Sequence, residues 1–145
     1  MKLNHNVFGE IIFDEFYWTK SISLKIFGKL KTIEVAIDAD EDAGFEREQV
    51  ESYIEFFKNI NHYIQLTEKG VFQYYNEKIA DQPLTEIEDI YPMVSIEQIF
   101  IPVNTKPDMR EIGFLGECSW EPEHGLGIRF INENITEVGF QDVLL

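Results

Sequence analysis

One cysteine, Cys118, occurs in the 145 residues. No intrachain disulfide can form, and a zinc site built on two or more cysteines is excluded. Basic residues are scarce. Twelve Lys and Arg stand against 27 Asp and Glu, a formal net charge of −15. Such a charge repels nucleic-acid phosphate and speeds encounter with cationic partners, so nucleic acid is not an expected ligand. No apolar run approaches the ~20 residues that span a bilayer. The opening Met1-Lys2-Leu3-Asn4-His5-Asn6 lacks the apolar stretch of a secretory signal. These features lead to the expectation of a cytoplasmic protein with no membrane partner. There is no Walker sequence, no Gly-x-Ser-x-Gly elbow and no His-Glu-x-x-His helix, and no cofactor is expected.

What is present is enough for a core. Hydrophobic residues make up 44% of the chain and aromatic residues 14%, so the charge does not imply disorder. The length suits a single domain over residues 1–145, since one core serves about 100–200 residues.

Periodicity predicts an α+β fold: an antiparallel β meander, a central segment of two helices, and C-terminal β hairpins. In residues 7–38, Phe8, Ile11 and Phe13 begin the β structure. Ile22, Leu24 and Ile26 then alternate with polar residues, and Ile33, Val35 and Ile37 repeat the alternation after a turn at Gly28-Lys29. The acidic stretch at 38–46 leads into a helix with Val50, Tyr53, Ile54, Phe57, Ile60 and Ile64 on one stripe. Thr67-Glu68-Lys69-Gly70 reads as punctuation before a second helix from Val71 to about Ile79, with Phe72, Tyr75 and Ile79 inside. Pro83 ends it. Residues 81–92 read as an acidic loop. Ser95 reads as the cap of a short turn through Ile96–Phe100, and Pro102 and Pro107 as bounds of a connection. Strands follow around Ile112–Trp120, Ile128–Phe130 and Ile135–Val138, with turns at 121–125 and 132–134. Pattern alone leaves open whether the two β blocks share one sheet.

The densest chemical cluster is Trp120-Glu121-Pro122-Glu123-His124-Gly125-Leu126-Gly127. His124 has the chemistry of a general base, and a Glu could orient it. No nucleophile or second ligand set accompanies it, so a structural turn or a partner contact is the better reading. Cys118 reads as a buried, inert thiol. Gly125 and Gly127 lack the third glycine and the strand-to-helix setting of a phosphate loop. In the run Asp38-Ala39-Asp40-Glu41-Asp42, Gly44 and Glu46 fall too close together for an EF-hand, and no metal is expected. The pairs Tyr17-Trp18, Phe56-Phe57 and Tyr74-Tyr75 lack the basic groove of a base-stacking platform. They suit a core, with one ring of a pair left to face a partner.

Leu3-Asn4-His5-Asn6-Val7-Phe8-Gly9-Glu10-Ile11, Trp120 to Gly127, and Gly139-Phe140-Gln141-Asp142 resemble segments of small acidic bacterial proteins of unknown function. Proteins of this kind are found as immunity partners in toxin–immunity pairs. The resemblance implies a bacterial cytosolic protein that neutralises a toxin, and it carries over no catalytic residues.

The leading expectation is an acidic, non-enzymatic binding protein whose partner is a basic protein, a toxin domain of the nuclease kind. The contact residues expected are Asp38, Asp40, Glu41 and Asp42, then Glu86, Glu88 and Asp89, and then Trp120, Glu121, Glu123 and His124. Two alternatives stand beside it. One is a small hydrolase or lyase using Glu121, Glu123 and His124. The other is a structural domain that assembles through an exposed sheet edge.

Overall fold

The alternating residues between 18 and 37 form the hairpin from which the sheet grows. In the computed structural model, which describes residues 1–42, 44–104 and 106–145, β3 (Trp18–Ile26) and β4 (Lys29–Ile37) pair antiparallel over their full length. The turn at Phe27-Gly28 has φ of 52° and 74°. Glycine adopts such values without a steric cost, and a Cβ on Gly28 would also meet the Tyr91 ring at 2.8 Å. On one side lie β2 (Gly9–Phe13) and β1 (Lys2–His5). On the other lie β5 (Val94–Ile101), β6 (Glu111–Cys118), β7 (Leu126–Ile131) and β8 (Asn134–Gly139). All eight strands form one sheet in sequential order.

Every neighbouring pair is antiparallel except β4 and β5, where Val35 faces Ile99 and Ile37 faces Ile101 in parallel register. A parallel pair needs a long crossover. Here it contains α1 (Arg47–Lys58), α2 (Ile60–Tyr74), a π-helical turn at Tyr75–Ile79 and a 3₁₀ turn at Ile87–Met93. The fold is α+β, and the two β blocks are one sheet. No helix among the described residues is long and apolar enough to cross a membrane.

Successive strand residues point to opposite faces. Ile33, Val35, Ile37, Ile99, Ile101, Ile112, Phe114, Ile128 and Phe130 share the face that packs with Phe56, Tyr63, Ile64 and Val71 of the helices. Their alternates Ala36, Phe100 and Leu115 face the other way. They pack with Tyr17, Val143 and Leu144, so the C-terminal segment covers part of the second face.

Four expectations are corrected. The helical break falls at Asn59, and Thr67-Glu68-Lys69-Gly70 lies inside α2. Thr67 is buried there, and a Cβ on Gly70 would come 2.8 Å from Ile135 Cδ1, so the glycine serves helix–strand approach. The expected turn at Ile96–Phe100 is part of β5, a central strand whose apolar residues serve both faces. The helix stripe is also rotated. Gln49, Ser52 and Phe56 are the buried residues of α1, whereas Ile54 is 44% exposed. Polar residues in two buried positions disguised the true stripe. Ile79, expected inside, is exposed.

Phe56 is the hub of that stripe. Its ring stacks on Tyr63 at 4.9 Å and lies 5.4 Å from Phe114 and 5.8 Å from Phe130. Phe56→Ala is expected to lower unfolding stability by about 3–5 kcal/mol. Ile54→Ala should stay within about 1 kcal/mol of the parent. Urea unfolding of both variants checks the rotated stripe, and equal losses would contradict it.

Candidate partner-docking site

The acidic segments lie at two opposite ends of the sheet. Asp38 follows β4, and its backbone N–H donates to the Ile101 carbonyl at the end of β5 (3.0 Å). The 3₁₀ turn carrying Glu88 and Asp89 precedes Val94, and Val94 faces Cys118, after which comes the 119–125 turn. The eight residues of β5 therefore separate the 38–42 segment from the other two groups, a span of roughly 23 Å.

At the Val94 end Glu86, Glu88, Asp89 and Glu123 also pair with no Lys or Arg among the described residues, and two local contacts order the turns. Glu86 and Asp89 form a capping box, in which the Glu86 N–H donates to Asp89 Oδ2 (3.2 Å). Glu88 is exposed. The Trp120 ring packs 5.1 Å from Tyr75. His124 is 58% exposed, its Nδ1 lies 3.0 Å from Glu121 Oε1, and its ring stacks on Phe140 at 4.9 Å. Glu123 is exposed. The glycines of this motif make room for the C-terminal segment. A Cβ on Gly125 would meet the Gln141 side chain at 2.5 Å, and one on Gly127 would meet the Phe140 carbonyl at 2.7 Å. The Gln141 amide side chain donates to the Gly116 carbonyl (2.9 Å), and its backbone N–H donates to the His124 carbonyl (3.0 Å). This geometry makes the 120–127 motif a seat for the chain end. The Glu121–His124 pair stands at an exposed turn.

At the Ile101 end Asp38, Asp40, Glu41 and Asp42 likewise have no cation within ion-pair range among the described residues. The loop that carries them is held by buried groups. The Trp18 indole N–H donates to the Asp40 carbonyl (3.4 Å), and Gln49 Nε2 donates to the Asp38 carbonyl (2.7 Å). Beside it is the β2–β3 turn. There Asp14 Oδ1 accepts from the backbone N–H groups of Phe16 (3.1 Å) and Tyr17 (2.8 Å). This Asx turn leaves Phe16 72% exposed, the outward ring that the adjacent aromatic pairs do not supply. Trp18 is buried and Tyr17 half-buried. Glu15 has φ 96°, a strained value for a residue with a side chain. Sequence reading missed Glu15 and Phe16, and the polar Asp14-Glu15 step between two strands was the available signal.

Burial and hydrogen bonding set two carboxyls in opposite directions. Burial, then Asp40 and Glu46, push the Asp38 carboxyl above the usual carboxylate range. Glu48 is held below it, first by its own backbone N–H, next by the N–H of Asp108, and also by the Arg47 guanidinium. Glu46 is also engaged, since its Oε1 accepts from the Asn104 N–H (2.6 Å). Among the described residues no group of three His, Cys, Asp or Glu side chains is arranged to hold a metal ion.

The chain is thus an α+β protein with one sheet face under a helical crossover and, among the described residues, acidic loops without Lys or Arg partners at both sheet ends, the 38–42 loop lying beside the exposed Phe16 turn. Residues 7–145 match the family described as a domain of unknown function, DUF6985, and the chain belongs to that family. No curated protein and no solved structure matches it.

The opposed shifts give opposed pH dependences. Asp38 has a raised folded pKa, so its ionisation opposes folding, and the stability it adds when protonated is lost as pH rises through the folded value. Glu48 has a depressed folded pKa, so its contribution is present above the unfolded value and lost as pH falls. Asp38→Asn is expected to raise the thermal midpoint at pH 7 and Glu48→Gln to lower it. The Asp38→Asn difference should shrink as pH falls through the raised folded value and be gone by about pH 4, whereas the Glu48→Gln difference should begin to shrink only below about pH 4.5. Melting curves from pH 3 to 7 check both signs.

Proposed function

We propose that the protein is an acidic immunity-type protein that binds a basic bacterial toxin in the cytoplasm and blocks its substrate surface. The observation that carries this reading is the exposed Phe16 ring beside the 38–42 carboxylates, which have no ion-pair partner among the described residues. An aromatic anchor amid one sign of charge suits a protein ligand of opposite sign. The ring supplies desolvated contact area and the field supplies rapid, oriented encounter. Nuclease toxins present cationic surfaces to phosphate, so an acidic protein can occupy that surface in place of the substrate. The resemblance of the end motifs to acidic proteins of toxin–immunity pairs points the same way. The strained Glu15 supports it too, because glycine would serve the turn better and the carboxylate then has a use outside folding.

Affinity capture from the native host should recover a basic protein whose association weakens steeply with added salt. Phe16→Ala should cost on the order of 2 kcal/mol of binding while leaving stability nearly unchanged. Glu15→Gly should do the reverse on stability, raising it by about 1 kcal/mol while slowing association. Recovery of no basic partner, or a complex indifferent to salt and to Phe16, would contradict the proposal.

A further inference from the structure

A hollow of about 370 Å³ opens beside the docking end, on the sheet face away from the helices. Tyr17, Phe100, Val143 and Leu144 give it apolar walls, and Asp38 and Val103 also line it. Glu111 belongs to its lining and is only 7% exposed. Its carboxylate accepts from Arg129 Nε (2.9 Å), so that guanidinium is already matched. Arg129 also lies 3.9 Å from Glu137. Asp38 is therefore left as the unmatched charge on the lining.

We infer that this hollow is the socket for one arginine or lysine side chain of the partner, with its aliphatic stem against the apolar walls and its cationic head at Asp38. The inference rests on the reading of the protein as the binder of a basic protein. The chemistry selects this occupant over others. A long basic side chain buries its methylenes along apolar surface while its head seeks a carboxylate. An anionic side chain would meet Asp38 and Glu111, and Arg129, which also lines the hollow, is held by Glu111 at 2.9 Å and stands 3.9 Å from Glu137. A purely apolar side chain would leave the half-buried Asp38 without a counter-charge at the cost of desolvation. Asp38 and Val103 also line a second hollow of about 300 Å³ with Asp40, Phe45 and Glu46.

The test needs no partner at first. N-acetyl-arginine amide is titrated into the protein and followed by backbone amide shifts, with N-acetyl-norvaline amide and N-acetyl-aspartate amide as comparators. Saturable shifts at Tyr17, Asp38 and Val103 are expected for the arginine probe alone. Asp38→Asn should weaken its binding at least about tenfold, the loss of a charge-assisted hydrogen bond. Val103→Phe should narrow the hollow and weaken it as well, a second readout should the Asn variant fold poorly. Shifts that never saturate, or that are shared by the aspartate probe, would overturn the socket. If a basic partner is captured and its complex tolerates Asp38→Asn but not Phe16→Ala, the socket falls and the proposed function stands. If no basic partner exists but the arginine probe saturates and depends on Asp38, the socket stands and the proposed function falls.

Discussion

The side chain of Gln49 joins the helical crossover to the one parallel seam of the sheet. Its Nε2 donates to the carbonyls of Asp38 (2.7 Å), Pro102 (3.3 Å) and Ile101 (3.4 Å), and its Oε1 accepts from the Glu46 N–H (3.0 Å). A buried amide this fully engaged fixes the start of α1 against the ends of β4 and β5 together. It also fixes the backbone from which the Asp38 side chain projects. The far end of the seam is held by ammonium groups. Lys29 Nζ donates to the Val94 carbonyl (2.6 Å) and the Tyr91 carbonyl, and Lys31 Nζ reaches Glu97 (2.8 Å) and Ser95. Lysines spent on that seam cannot neutralise acidic loops at the opposite end.

Two of the three segments behind the resemblance, 120–127 and 139–142, have a shared physical basis. Gly125 and Gly127 leave space that Phe140, Gln141 and Val143 fill, and Gln141 closes the contact on the carbonyls of Gly116 and His124. Residues that cluster as potential chemistry in the sequence are thereby joined across the fold as packing. The same contact guides the C-terminal segment onto the second sheet face, where Leu144 covers Phe100 and Leu115 and Val143 and Leu144 wall the hollow beside Asp38.

Local periodicity made β3 and β4 legible, since Ile22, Leu24, Ile33 and Val35 alternate cleanly with polar neighbours. It also placed the helices between two β blocks. It failed where burial and polarity part company. Gln49 and Ser52 are polar and buried, so the apparent stripe of α1 rotated toward Ile54. β5 alternates from Val94 to Glu97, but a bulge between Ile96 and Gln98 shifts the phase before Ile99, and so it lacked a regular period. The acidic segments were legible as segments, but their separation depends on the parallel pairing of β4 and β5, a long-range fact with no local signature. Phe16 was hidden for the opposite reason. Its exposure follows from the Asp14 turn, and an apolar residue at a strand end reads as core.

The central claim is that one end of the sheet, the 14–17 and 38–42 loops, receives the partner. Hydrogen–deuterium exchange of the protein, free and bound to the basic protein recovered with it, tests this most directly. The account predicts added protection at residues 14–18, 38–42 and 102–104, with 86–89 and 119–124 unchanged. Protection confined to 86–89 and 119–124 would contradict it.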